Sequence, residues 1–318
     1  MRKTQLGDLT VSAQGLGCMG MSEWYGRTDW NESIATIHRA LDLGVTFLDT
    51  ADIYGAGHNE VLVGRGIAGR RGEVQLATKF GIDRTGGDDK RTVRGERGYV
   101  KRSAESSLTR LDVDVIDVYY LHRPPQTAEI EETVGAMAEL VKEGKVRYLG
   151  LSEVNNDLLR RAYAVHPIAA VQSEYSLWTR DVEHDALAAM RELNVSLVPY
   201  SPLGRGFLAG TVDVGALDAR DFRASNPRFV GDAARSNEQI AGTVRKVAEA
   251  KGVTAAQVAI AWVYAQEPRL GVRVVPIPGT KRVKYLEQNV AAMDVTLTEA
   301  ELAILDPLGA QVTGARYR

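Results

Sequence analysis

Four residues of this chain, each at or just beyond the end of a short apolar run, have the types needed to deliver a proton. Phe47-Leu48-Asp49 ends in a carboxylate, and Tyr54 follows five positions later beside Gly55. Val74-Gln75-Leu76-Ala77-Thr78-Lys79 ends in an ammonium, and Val115-Ile116-Asp117-Val118-Tyr119-Tyr120-Leu121-His122 in an imidazole. A phenol titrates near ~10 and is a reluctant acid at neutral pH. An ammonium beside it favours the phenolate and lowers that pKa. Asp49 would hold Lys79 charged, and His122 would aim a ring nitrogen at the same substrate oxygen. Such a set is a general acid for a carbonyl oxygen whose carbon is under nucleophilic attack. Singly, each residue has a plainer role: a rim salt bridge for Asp49 and Lys79, a packed loop aromatic for Tyr54, a strand-end cap for His122.

The chemistry requires strand ends that converge, and the chain alternates accordingly. Strands are expected near residues 16, 47, 77, 118, 149, 171, 197 and 274, eight in all. Helices are expected between them at 30–43, 59–68, 98–111, 155–165, 183–193, 237–251, 255–265 and 283–292. Ile130, Val134, Met137 and Val141 mark one face of another, closed by Gly144. Strands alternating with helices imply parallel pairing. Eight such units in 318 residues predict one domain over residues 1–318, a (β/α)₈ barrel. A hairpin over residues 2–13 caps the barrel bottom. The other architecture is an open doubly wound sheet, but no Gly-x-Gly-x-x-Gly opens a helix directly after the first strand. Two connections, 81–97 and 201–236, are unusually long for a compact domain and fall on the face where barrels carry active sites.

Bulk properties exclude several classes. Net charge is −2, with 39 Lys+Arg against 41 Asp+Glu, so nothing favours nucleic acid or an anionic membrane. The single cysteine, Cys18, rules out an intrachain disulfide and four-sulfur zinc sites. No run is long enough to span a membrane and the N-terminus has no apolar signal core. A reducing cytoplasm is expected. No metal is expected either: none of the five histidines forms a close pair at a strand end.

No side chain carries a hydride, so a reduction needs a bound cofactor. Ser152 and Gln172, at the ends of the fifth and sixth strands, are suited to a carboxamide. Tyr200 is suited to stack on a ring. In Ser201-Pro202-Leu203-Gly204-Arg205-Gly206-Phe207-Leu208-Ala209-Gly210, backbone N–H groups could line a diphosphate. Ile277-Pro278-Gly279-Thr280-Lys281-Arg282 leads into a helix, where phosphate binds readily. Lys281 and Arg282 add fixed charge there, the guanidinium of the latter suited to a phosphate.

With these residues in view, the chain resembles the aldo-keto reductase superfamily over essentially its whole length. The resemblance lies in Gly15-Leu16-Gly17, Leu48-Asp49-Thr50-Ala51 with Tyr54-Gly55, Ala77-Thr78-Lys79, Tyr120-Leu121-His122-Arg123-Pro124, and Gly144 to Ser152. It continues in Gln172-Ser173-Glu174-Tyr175-Ser176, Pro199-Tyr200-Ser201-Pro202-Leu203-Gly204 and Ile277-Pro278-Gly279-Thr280. The chain is most similar to the bacterial short-tailed branch, which is related to the potassium-channel β subunits. The resemblance implies a (β/α)₈ barrel that binds extended NADP(H) and reduces an aldehyde or ketone. It places the catalytic tetrad on Asp49, Tyr54, Lys79 and His122. It places cofactor contacts on Met19, Asp49, Ser152, Gln172, the 200–210 loop (Tyr200, Ser201, Pro202, Leu203, Gly204, Gly206, Leu208, Gly210), Ile277, Gly279, Thr280, Lys281, Arg282, Gln288 and Asn289. The pocket mouth is expected at Trp24, Tyr25, Phe80, Arg123, Trp178 and Phe207. Three departures from the mammalian members stand out: Glu153 in place of asparagine, Gly279-Thr280 in place of Lys-Ser, and a short segment after Pro307. Two other functional classes stay open at this point. One is an NADP(H)-binding redox sensor or partner subunit with incidental turnover. The other is a metal-dependent barrel hydrolase.

Overall fold

The structure, a computed structural model, describes residues 1–317 apart from 88–90, 211, 213–216 and 218–220. Those parts of the two long connections lie outside the described residues. Strands β1 (Lys3–Leu6) and β2 (Leu9–Ser12) form an antiparallel hairpin turned by Gly7 at φ 56°. Seven parallel strands follow: β3 (Gly15–Gly17), β4 (Phe47–Asp49), β5 (Gln75–Phe80), then β8 (Ile116–Leu121), β9 (Val146–Ser152), β10 (Ile168–Glu174) and β11 (Ser196–Tyr200). Between β5 and β8 lies a two-stranded hairpin, β6 (Ile82–Asp83) and β7 (Thr92–Val93). It lies within the long 81–97 connection.

The eighth strand, expected at 272–276, is not a regular strand. Its segment is joined to the sheet by two isolated bridges, Leu197 to Val274 and Gly17 to Gly279. On one side Leu197 N donates to Arg273 O (2.8 Å), and Val275 and Ile277 donate to Leu197 O (2.9 Å) and Pro199 O (3.0 Å). On the other side Gly15 N donates to Pro276 O (3.0 Å), which closes the barrel. Pro276 and Pro278 lack the N–H that a ladder requires, which breaks regular pairing without breaking closure.

The helices surround this barrel: α1 (Trp30–Asp42), α2 (His58–Gly66), α3 (Arg97–Leu111), α4 (Ile130–Lys142), α5 (Asn156–Val165), α6 (Val182–Asp185), α7 (Leu187–Leu193), α8 (Gly231–Lys251), α9 (Ala255–Ala265), α10 (Glu267–Leu270), α11 (Val283–Ala291) and α12 (Glu299–Leu305). The helix expected at 183–193 is broken at Ala186 into α6 and α7. Start signals are local. The Asp29 carboxylate accepts from Glu32 N at 2.8 Å, and Thr254 and Gln257 form a capping box. Among the described residues, no helix is long and apolar enough to cross a membrane.

Strand periodicity sorts the side chains into two layers. Phe47, Ala77, Val118, Tyr120, Ala170 and Val198 pack inside the barrel with Leu6, Leu9 and Val11 of the hairpin beneath them. The alternate residues Leu48, Leu76, Phe80, Tyr119, Leu121, Leu149 and Leu151 face the helices. Side chains two apart on a strand share a face. Asp49, two past Phe47, and Lys79, two past Ala77, therefore stand above the inner apolar layer at the upper rim.

Candidate active site

The structure brings Asp49, Tyr54 and Lys79 into direct contact. Lys79 Nζ donates to Asp49 Oδ1 at 2.5 Å, to Thr50 O at 2.8 Å and to Tyr54 Oη at 3.2 Å. These use all three ammonium protons. Asp49 Oδ2 accepts from Gln172 Nε2 at 2.8 Å. Lys79 is 0% exposed and Asp49 3%, so the pair is held out of water. His122 lies edge-on to the Tyr54 ring, centroids 5.8 Å apart, and its Nδ1 has no hydrogen-bond partner.

Burial decides the charge states. It disfavours the phenolate and raises the Tyr54 pKa, while Lys79 pulls the other way and Asp49 adds to the rise. The lowering expected from the ammonium is thus present but outweighed by desolvation. Burial also opposes the Lys79 ammonium, but Asp49 and Tyr54 more than compensate and its pKa lies above the usual value. Asp49 is raised by burial against the pull of Lys79. The His122 pKa is pushed well down, first by burial and then by Arg123, Lys79 and Arg84, so its imidazole is neutral at neutral pH.

The loop bearing Tyr54 is laced to the one after β3. Glu23 Oε2 accepts from Gly55 N at 2.9 Å while its Oε1 accepts from Arg84 Nη1 at 2.9 Å. Asn59 Nδ2 donates to Cys18 O and to Ser22 Oγ, both at 2.8 Å. Trp24, held at φ 69°, sets its ring edge-on to Tyr54 with centroids 6.0 Å apart. Trp24 and Tyr25 thereby reach the cavity from a stretch with no regular strand.

A cavity of about 520 Å³ opens over Asp49, Tyr54 and His122, with Lys79 buried behind them, and runs to the 277–282 segment. Of the residues expected to meet a cofactor, Met19, Asp49, Gln172, Tyr200, Ser201, Pro202, Leu203, Gly206, Ile277, Gly279, Thr280, Lys281, Arg282, Gln288 and Asn289 line it. Ser152, Gly204, Leu208 and Gly210 do not. Ser152 is buried beside Arg123, whose Nη1 donates to its Oγ at 3.2 Å. The N–H groups of Gly204, Gly206, Leu208 and Gly210 are engaged in the loop's own turns, with acceptors Ser201, Leu203, Leu203 and Phe207. These four amides of the 201–210 run are therefore taken up within the loop itself. Lys281 is also engaged: its Nζ donates to Tyr25 O (2.8 Å) and Arg27 O (2.5 Å), tying the 20–30 loop to the 277–282 segment. Arg282 is 57% exposed, with Glu32 3.7 Å away.

Of the six residues expected at the pocket mouth, Trp24, Tyr25 and Arg123 line the cavity and Phe80, Trp178 and Phe207 do not. Phe80 follows Lys79, so strand alternation turns it outward, where it stacks on Tyr119 at 4.8 Å. Trp178 and Phe207 stack on each other at 5.2 Å, and each meets Phe229 edge-on in the outer core.

Arg205, Phe222, Arg223 and Tyr317 line the cavity without having been foreseen. The segment after Pro307 returns to the rim. Asn237 Nδ2 and Oδ1 clamp Thr313 O and N, each at 3.0 Å, and Asn226 Nδ2 holds Arg316 O at 3.1 Å. Arg316 then donates to Glu153 (2.5 Å), Glu174 (2.9 Å), Asp181 (3.2 Å) and Tyr200 Oη (2.8 Å). Glu153, at φ 56°, also accepts from Glu174 N at 2.9 Å, so its carboxylate serves the tail. The acidic residues at 153, 174 and 181 were a signal for a basic partner, but not for which arginine.

A sequence profile described as the aldo/keto reductase family matches residues 14–310. The chain is 45% identical over 312 residues to a soybean (Glycine max) protein named probable aldo-keto reductase 1, covering 96% of this chain and 88% of that one. Among solved structures, a glycerol dehydrogenase of Gluconobacter oxydans superposes with a TM-score of 0.85 at 27% identity, over 98% of this chain and 95% of that one. An aldo-keto reductase of Klebsiella pneumoniae, solved in complex with NADPH, gives 0.75 at 27% identity, over 100% and 99%.

Proposed function

Because the chain belongs to the aldo/keto reductase family and its rim joins a buried lysine to a tyrosine at an open cavity, we propose that it catalyses the NADPH-dependent, reversible reduction of an aldehyde or ketone. The observation that carries this reading is the Lys79 Nζ contact to Tyr54 Oη at 3.2 Å, with Asp49 behind it. Tyr54 gives its proton to the carbonyl oxygen. The phenolate left behind faces the Lys79 ammonium, which stabilises it as charge develops. Asp49 and Thr50 O fix that ammonium from the other side. Neutral His122 accepts or donates a hydrogen bond but adds no charge, so it orients the carbonyl oxygen.

The residues present fit an extended dinucleotide. The cavity is long enough to join the tetrad to Gln288 and Asn289, and the exposed guanidinium of Arg282 stands at the far end to meet a phosphate. When bound, NADPH supplies the hydride, as its complex with the Klebsiella relative supports. In this reading Tyr200 and Gln172, which line the cavity with Asp49, meet the nicotinamide end. Replacing Tyr54 with Phe removes the proton and keeps the ring packing. It is expected to lower kcat by roughly a hundredfold or more while leaving the Kd for NADPH within about a factor of three. Turnover near wild type in that variant overturns the assignment.

A further inference from the structure

Resting on that reading and deepening it, we propose that the preferred carbonyl substrates carry a carboxylate, received by Arg123 and the Tyr317 hydroxyl beside the tetrad. Arg123 follows His122 directly and lines the cavity. Its Nη1 donates to His122 O at 2.7 Å and Ser152 Oγ at 3.2 Å, and its Nη2 to Tyr200 Oη at 3.4 Å. All three partners are neutral. A guanidinium has five N–H donors, so its Nε–H and one Nη2–H remain without a partner. Its neighbours differ in this respect. Arg205 pairs with Glu174 at 3.1 Å, and Arg223 with Asp221 at 2.7 Å. Asp49 is the one carboxylate among the described residues lining the cavity, and Lys79 and Gln172 already hold it. Glu153 is near enough to favour the Arg123 charge, but its carboxylate is hydrogen-bonded to Arg316 and Glu174 N instead. A partly buried cation whose direct partners are all neutral is an incomplete ion pair, and a guanidinium fork matches a carboxylate in shape.

Hydrogen-bond accounting adds the second donor. The Tyr200 hydroxyl has two lone pairs and one proton. Arg123 Nη2 and Arg316 Nη2 donate to it at 3.4 and 2.8 Å. Its own proton therefore goes to Tyr317 Oη, 2.8 Å away. That leaves the Tyr317 proton uncommitted at the cavity wall. The carboxylate is a spectator of the reaction: the carbonyl carbon still gains the hydride and its oxygen the Tyr54 proton. It adds binding and orientation, which raise kcat/KM.

The test is steady-state kinetics with NADPH on matched pairs: benzaldehyde against its three carboxylated isomers, and butanal against its counterpart with a terminal carboxylate. In the wild type the carboxylated member is expected to have a kcat/KM roughly tenfold or more higher for at least one geometry. In Arg123→Gln that ratio falls to near one, whatever the absolute rates. Tyr317→Phe, a change at an exposed tail residue, lowers the ratio by a smaller factor and keeps the test open if Arg123→Gln does not fold. Benzoate is a second readout: it competes with the neutral aldehyde in the wild type and not in Arg123→Gln. A wild-type ratio near one overturns the proposal and leaves the reductase reading standing. So does a ratio that survives Arg123→Gln while the KM for NADPH rises equally for both substrates, which would place Arg123 at the nicotinamide. No turnover of any aldehyde overturns the reductase reading and this inference together.

Discussion

At the scale of single residues, environment overrides intrinsic chemistry. Tyr54 beside an ammonium is, by type, a phenol made more acidic. In the folded protein the same burial that excludes water raises its pKa more than Lys79 lowers it. Tyr54 therefore stays protonated, ready to donate, until a substrate oxygen becomes negative. Lys281 and Arg282 are a second case. They are adjacent and alike in charge, yet Lys281 is bound to two carbonyls of the 25–27 stretch and Arg282 stays open. Recognition of the NADPH 2′-phosphate is accordingly expected from Arg282. Fluorescence titration of Arg282→Ala should show the Kd for NADPH rising roughly tenfold to hundredfold, the scale of a charge-assisted contact, with the Kd for NADH nearly unchanged. Equal losses for both nucleotides would remove Arg282 from that role.

At the scale of elements, the loop from β4 to α2 carries both a reacting group and a half-buried acid. Asp52 N is bonded to Lys79 O at 3.0 Å, and its Oδ1 is shut off from water with no partner. Desolvation, and then Glu60, raise its pKa to about 8, with Arg110 opposing. In the unfolded chain the same group titrates near ~3.9. Between these values the unfolded state gives up a proton that the folded state keeps, so stability falls as pH rises through that window. Asp52→Asn removes the titration. The Tm of the variant minus that of the wild type is expected to increase by several degrees between about pH 4 and pH 8, as scanning calorimetry would show. Parallel profiles would mean Asp52 is ionised throughout. The sequence offered Asp52 only the role of a loop hydrogen-bonder, because nothing local to Ala51-Asp52-Ile53 reveals that Glu60, in the first turn of α2, comes back beside it.

At the scale of the whole molecule, closure rests on a segment that is barely a strand. Gly15 and Gly17 allow it to approach. A Cβ built on Gly15 would lie 2.7 Å from Phe47 Cδ1 and 2.8 Å from both Ile277 Cγ2 and Phe47 O. Gly15→Ala is therefore expected to cost about 1–3 kcal/mol, as overpacking does, and to lower Tm by several degrees in a thermal melt. An unchanged Tm would show that the seam can spread. The same seam brings Gly17 against Gly279 and thus sets the far end of the cavity.

The barrel was legible in the sequence because period-two and period-3.6 patterns are local, and eight alternating units leave little choice of topology. The convergence of Asp49, Lys79 and Tyr54 was legible for the same reason: residues closing parallel strands share a rim. Strand parity was also present in the sequence and would have sent Phe80 outward once Lys79 faced in. What only the tertiary structure decided were contacts between parts distant along the chain. Arg316 sits among Glu153, Glu174 and Asp181, the Tyr317 hydroxyl meets Tyr200, and the Lys281 ammonium reaches the 25–27 carbonyls. The broken eighth strand, the hairpin of β6 and β7, and the outward burial of Trp178 and Phe207 belong with them. Backbone pattern depends on neighbours along the chain. A long side chain's partner depends on which loops meet above the barrel, and a sequence with no second structure to fold against does not state that.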